Sequence, residues 1–272
     1  MTSAPAVVAY ETRAIPEAGG LAAIITLDRP AELNAMSWEL IQAFDGAISS
    51  AAANSDVRVI FITGRGRAFS AGGDLKSYVD LQRDPVRFPA FVKDLHDAFG
   101  RLRTLRVPVV ALVNGVTVAG GLELLLSCDM AIAATSARIG DGHLNFGQMG
   151  GGGVLTLLAR MIGIQRAAEL VMTGKLLDAE TAADWGLVGN VVPDARLMVD
   201  AMALARQIAV KSPLAVANAK EIMNTIWSEA MSVPSGLRLE RERNAVYCLT
   251  SADAPEGLLA FSEKRAPRFQ GR

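Results

Sequence analysis

An α/β fold with parallel strand pairing is predicted for this 272-residue chain, and three observations predict it. Short apolar, largely β-branched runs recur at residues 21–28, 56–64, 109–113 and 130–134. Segments with helical spacing stand between them, and turn residues or small-residue loops close most of the runs. Alternation of this kind is the pattern of strands joined by helical crossovers, which pair in parallel.

Composition sets the limits. With 51% hydrophobic residues the chain can bury a large core, as one large domain or a domain with an appendage. A formal net charge of -1 gives no electrostatic case for nucleic acid. Cys128 and Cys248 form neither a disulfide framework nor a metal-ligand spacing, and both are expected to be buried reduced thiols. No metal site is expected. The N-terminal stretch, residues 1–11, has no basic segment and meets a charge before an apolar core could finish, so no signal peptide is expected. No run of about 18 apolar residues suggests a spanning helix. The expected location is the cytoplasm, with no membrane partner.

Taken in order, the strand at 21–28 is ended by Arg29-Pro30. Ser37 offers an N-cap for a helix carrying Trp38, Leu40, Ile41 and Phe44 at helical spacing. The strand at 56–64 leads into a small-residue loop at 66–76. Residues 77–106 are the most polar long stretch, interrupted by Pro85 and Pro89 before a helix-like run over 91–102. Such an excursion is a mobile lid or a plain surface segment, and both readings stay open. The strand at 109–113 ends at Asn114-Gly115, and a loop then runs into a helix that starts at Gly120-Gly121. Beyond the strand at 130–134, residues 137–153 hold the densest glycine. The run Gly150 to Gly153 reads as close backbone approach to a ligand or neighbour, or as a floppy loop. From Gln165 onward the pattern is helical, with turns at 186–188 and 191–193 and helices over 213–227, 236–249 and 254–265.

The stretch 109–132 organises the rest. The first amides of a helix beginning at Gly120 lack intrahelical acceptors and sit at the positive end of its dipole, a place suited to a developing oxyanion. Glu123 stands among Leu122, Leu124, Leu125 and Leu126. A carboxylate held in apolar surroundings is less readily ionised, which moves it towards the working range of a general acid or base. The competing reading is a solvated first-turn glutamate, favourable through the dipole alone.

Together these motifs resemble the crotonase superfamily, the enoyl-CoA hydratase/isomerase proteins. The resemblance rests on Asp28-Arg29-Pro30 with Asn34-Ala35-Met36-Ser37, and on Ala68-Phe69-Ser70-Ala71-Gly72-Gly73-Asp74-Leu75-Lys76. It continues through Val113-Asn114-Gly115 to Leu122-Glu123, Thr173-Gly174 with residues 182–188, and Glu256-Gly257 with Phe261, Lys264 and Arg265. Each motif is weak alone, and their order and spacing are specific. The resemblance implies a crotonase-like spiral of ββα turns over residues 1–200. It also implies a C-terminal helical trimerisation region over 201–272, giving a homotrimer or homohexamer. An acyl-CoA thioester is the implied substrate, with no tightly bound cofactor, since coenzyme A arrives as part of the substrate. Carried over by position, the N–H groups of Gly73 and Gly120 form the oxyanion hole, and Glu123 is the first of two catalytic glutamates. Ala35, the segment Ala71, Gly72, Asp74, Leu75 and Lys76, and Lys264 from the C-terminal helix bind substrate.

The second glutamate is absent. His143 stands at its position, Gly142 replaces the usual preceding proline, and Asp141 is two residues before the histidine. A histidine titrates near neutrality and can accept or donate through either nitrogen, so it can replace a carboxylate as acid or base. Asp141 could orient its ring or act itself, and a loop histidine with no role is the competing reading. His96 is expected to be an ordinary surface or interface residue. The leading reading is hydration of a 2-enoyl-CoA. Double-bond isomerisation and hydrolytic cleavage of a carbon–carbon bond in a 1,3-dicarbonyl substrate are alternatives, and an acyl-CoA-binding protein without turnover is the non-enzyme reading.

Overall fold

The computed structural model describes residues 6–272. Residues 1–5, part of the stretch searched above for a signal peptide, lie outside it. In chain order the elements are β1 Val8–Ala14, β2 Leu21–Leu27, α1 Trp38–Ala53, β3 Val57–Gly64, β4 Ala68–Ser70, α2 Leu75–Leu81 and α3 Arg87–Thr104. There follow β5 Val109–Val113, β6 Val116–Val118, α4 Gly120–Ser127, β7 Met130–Ala134, β8 Arg138–Gly140, the 3₁₀ turn His143–Phe146 that enters the site (two others lie at Pro30–Glu32 and Asp194–Arg196), α5 Val154–Ile162 and α6 Ile164–Thr173. The chain closes with β9 Leu176–Asp178, α7 Ala179–Trp185, β10 Asn190–Val192, α8 Leu197–Ala209, α9 Pro213–Ser228, α10 Val233–Thr250 and α11 Asp253–Ser262.

Two sheets share these strands. One has the order β1-β2-β3-β5-β7-β10, parallel from β2 onward, and the other the order β4-β6-β8-β9. Each of β3, β5 and β7 lies in the first sheet, and the strand that follows it lies in the second. After each pair the chain returns through one or more helices, so the repeating unit is ββα and the chain winds as a spiral. Apart from the exposed edge strand β1, the first sheet is covered on both faces. Ala22, Ile24, Phe61, Leu112 and Ile132 pack against Leu197, Ala201 and Ala205 of α8, while Ile25, Ile60, Ile62, Ala111 and Val113 join the larger core with α1, α3 and α4. Burial on both faces is why these strands read as continuous apolar runs rather than alternating ones.

Local chemistry fixes the helix starts. Ser37 accepts a hydrogen bond from Leu40 N and caps α1, Asp74 accepts from Ser77 N at the start of α2, and Ser212 caps α9 ahead of Pro213. Lys220 of α9 is only 5% exposed. Its Nζ lies 2.6 Å from Asp129 Oδ2 and donates to Leu102 O and Val107 O, fastening α9 to the spiral beneath α3.

Several expectations are corrected. The loop expected at 66–76 contains β4, and the loop expected after Asn114-Gly115 contains β6; both strands are three residues long, too short to carry a periodic signal. The turn expected at 191–193 is the end of β10, which pairs in parallel with β7. Cys128 is buried, but Cys248 of α10 is exposed. Helix α8 runs across position 200 and closes one face of the core. Lys264 lies two residues beyond the end of α11 rather than on it. Among the described residues, no helix is long and apolar enough to cross a membrane.

Candidate active site

A cavity of about 590 Å³ lies where α4, the 3₁₀ turn and the glycine run meet α2 and α3. The excursion at 77–106 forms its wall: Tyr78, Gln82, Phe88, Phe91, Val92 and Leu95 all line it. Gln82 Nε2 donates to Gln148 Oε1 across the rim.

Glu123 is 2% exposed and lines this cavity. The surroundings that bury it come less from its leucine neighbours in sequence than from the glycine run. Its Oε1 accepts from Gly152 N at 2.8 Å and from Val154 N at 3.3 Å. A Cβ on Gly152 would lie 2.7 Å from Glu123 Oε2, and one on Gly150 2.7 Å from Oε1. The run is therefore bare because the backbone closes directly over a carboxylate, which decides between the two readings left open by the sequence. With Oε1 engaged, Oε2 is the oxygen that faces the histidine. Burial raises the Glu123 carboxyl above its ordinary range, against the opposing influence of His143 and the two amides.

His143 stands opposite, its Nε2 3.9 Å from Glu123 Oε2. Its Nδ1 is 2.5 Å from Asp141 Oδ1, and Asp141 is 1% exposed. Burial works against an imidazolium here, but the hydrogen bond donated to Asp141 and the charges of Glu123 and Asp141 outweigh it, and the His143 pKa is raised. With Nδ1 committed to the carboxylate, Nε2 is the nitrogen presented to Glu123. His96 is exposed on α3, outside the cavity lining.

Gly73 and Gly120 line the same cavity. Among the described residues neither N–H has an acceptor. The two segments touch, since a Cβ on Gly72 would come within 3.3 Å of Gly120 N. Gly120 is the first residue of α4, and Ala119 before it has φ 52° and ψ -117°. That left-handed value in a residue with a Cβ costs roughly 1–3 kcal/mol and marks the turn that delivers a free amide to the cavity. Nothing in the sequence signalled it.

The remaining predicted residues divide. Ala35, Ala71 and Leu75 line the cavity. Gly72 packs behind Gly120, and Asp74 is engaged with Arg29 at 3.0 Å and with the α2 N-terminus. Lys76 and Lys264 are exposed, and neither belongs to the cavity lining. Tyr78 was not singled out in the sequence, where its single aromatic ring on a polar helix carries no signal.

The enoyl-CoA hydratase/isomerase family model matches residues 17–272. The chain belongs to the enoyl-CoA hydratase/isomerase family. A Mycobacterium bovis relative named as a probable enoyl-CoA hydratase is 37% identical over 92% of this chain and 94% of its own. The 2,3-dehydroadipyl-CoA hydratase of Escherichia coli is 33% identical over 92% of this chain and 95% of its own. The crystal structure of an enoyl-CoA hydratase from Bacillus anthracis superposes with a TM-score of 0.89 at 32% identity, covering 98% of this chain and all of the other. Within the enoyl-CoA hydratase/isomerase family, then, this chain presents one buried glutamate facing a histidine held by an aspartate.

Proposed function

We propose that this protein adds water to a 2-enoyl-CoA thioester, with Glu123 and the His143–Asp141 pair as its acid–base groups and the Gly73 and Gly120 amides as its oxyanion hole. The observation that carries the reading is the facing of Glu123 Oε2 and His143 Nε2 at 3.9 Å in the cavity that both amides line. A water touching both atoms sits at the apex of a triangle, on the cavity side of the line between them. Ionised Glu123 takes a proton from this water as its oxygen attacks C3 of the enoyl group. The electron pair of the double bond moves towards the thioester, and the enolate oxygen is held by the two amides, each such donor being worth about 3 kcal/mol. Protonated His143 gives its Nε2 proton to C2. Glu123 then returns the proton to His143 across their contact, and the pair is reset. Asp141 holds the proton on Nδ1, so that Nε2 is the nitrogen that gives up and regains a proton at the substrate.

The remaining assignments belong to the same proposal. Ala35, Ala71, Gly72 and Leu75 flank the thioester path, with Asp74, Lys76 and Lys264 towards the coenzyme. No cofactor is needed beyond the coenzyme A of the substrate. Exposed Val233, Leu237, Val246 and Leu249 of α10, with Leu258, Leu259 and Phe261 of α11, support assembly into a homotrimer or homohexamer, which sedimentation equilibrium measures.

Crotonyl-CoA turnover, followed by loss of the conjugated enoyl absorbance, tests the function. Wild type turns over, while Glu123→Gln and His143→Ala do not. Folded wild type that binds a coenzyme A ester without hydrating crotonyl-CoA refutes the reading of the protein as a short-chain hydratase. Conversion of a 3-enoyl-CoA to its 2-enoyl isomer in that case assigns it to the isomerases, which need only one base.

A further inference from the structure

We infer that the Tyr78 hydroxyl is a third hydrogen-bond donor to the thioester oxygen, beside Gly73 N–H and Gly120 N–H. The inference deepens the proposed hydration and rests on that reading for the identity of the reacting group.

Placement comes first. Tyr78 lies one turn into α2, the helix that begins immediately after Gly73, and it lines the reaction cavity. A Cβ on Gly73 would come within 2.7 Å of both the Tyr78 hydroxyl oxygen and its Cζ. The phenol thus occupies the space that a side chain at the oxyanion residue would take, and the glycine at 73 is what admits it. The ring is fixed by edge-to-face contacts with Phe88 at 6.1 Å and Phe91 at 5.3 Å between centroids.

Chemistry then limits what the hydroxyl can do. The rings packed against it, Phe88 and Phe91, offer no side-chain acceptor. Among the described residues the hydroxyl has no hydrogen-bond partner, while tyrosine hydroxyls in such surroundings ordinarily find one. Burial, reinforced by the charges of Glu123 and Asp74, holds the phenol well above its ordinary pKa, so it is a neutral donor throughout the working range. A neutral O–H beside the oxyanion amide, held by two aromatic rings at the edge of the cavity, lacks only an acceptor. The thioester oxygen supplies it, and the bond strengthens as negative charge collects there.

Tyr78→Phe removes the hydroxyl and keeps both ring contacts. Removal of one oxyanion donor costs about 100- to 1000-fold, and with two amides left in place the expected loss in kcat is about 10- to 100-fold, with KM little changed. The second readout is the absorbance of 4-(dimethylamino)cinnamoyl-CoA, a conjugated thioester whose amino donor resists hydration. Hydrogen bonds to its carbonyl oxygen shift its band to the red. Wild type at saturation gives the full red shift, and Tyr78→Phe gives a smaller one; only protein that binds the probe contributes to the reading. Full red shift together with wild-type kcat in Tyr78→Phe overturns the inference and leaves the hydratase reading intact. If wild type hydrates no enoyl thioester, a red shift that still depends on Tyr78 upholds the donor while the reaction assignment falls.

Discussion

Glutamine and alanine at position 123 separate what the carboxylate does for the reaction from what it does for the fold. In Glu123→Gln the amide oxygen can keep both bonds now made by Oε1, from Gly152 N at 2.8 Å and Val154 N at 3.3 Å. The NH₂ group then takes the place of Oε2 opposite His143, and the base is gone. A positioned base contributes about 100- to 10,000-fold, so kcat falls by that factor, roughly 3–5 kcal/mol of transition-state stabilisation. Stability changes little, because no buried amide is orphaned. In Glu123→Ala the same activity is lost, but two buried amides lose their acceptor at about 1–3 kcal/mol each. A total of about 2–6 kcal/mol lowers the thermal midpoint by on the order of 10 °C for a chain of this size. Crotonyl-CoA hydration and differential scanning calorimetry on the three proteins read both effects. Equal midpoints for the glutamine and alanine variants, or turnover by the glutamine variant near the wild-type rate, would refute the reasoning.

Asp141→Asn removes the main influence that raises His143 while its burial remains, so the His143 pKa falls. Activity that needs ionised Glu123 and protonated His143 is bell-shaped in pH, and the alkaline limb of kcat/KM moves to lower pH in this variant; an unmoved limb contradicts the role given to Asp141. Gly152→Ala places a Cβ 2.7 Å from Glu123 Oε2 and from Leu95 Cδ2, and is expected to lower kcat at least 100-fold while coenzyme A ester binding persists, as calorimetric titration would show. Lys220→Met leaves Asp129 and two carbonyls without their cation, a loss of about 3 kcal/mol at the lower end for a buried pair because Asp129 is partly exposed, and the thermal midpoint falls by about 10 °C with little change in kcat.

The main strands and most helix starts were legible because each carries a local signature. Strands β2, β3, β5 and β7 are buried on both faces of the first sheet, which makes them continuous apolar runs, and Ser37 and Ser212-Pro213 announce their helices through capping chemistry. β1, β4, β6, β8, β9 and β10 were not legible: β1 is an exposed edge strand with charged residues among its apolar ones, and each of the others is three residues long and exists only through pairing with strands distant in sequence. At the site, Glu123 was conspicuous as a charge among leucines, yet the groups that define its environment, Gly152 N and Val154 N, lie about thirty positions further on and are met only through the fold. His143 was found through its position in a family pattern, since a histidine in a glycine-rich loop is unremarkable by composition. Tyr78 and the strained Ala119 left no trace, because the first depends on the missing Cβ of Gly73 and the second on a single backbone angle.

The central claim is that Glu123 and the His143–Asp141 pair act together from one side of the substrate. Hydration of crotonyl-CoA in D₂O tests it most directly, with the configuration at C2 and C3 of the product read by NMR. Delivery of water and deuteron from adjacent atoms 3.9 Å apart predicts that the hydroxyl and the new deuterium add to the same face. Addition to opposite faces, or a mixture of configurations at C2, would contradict it.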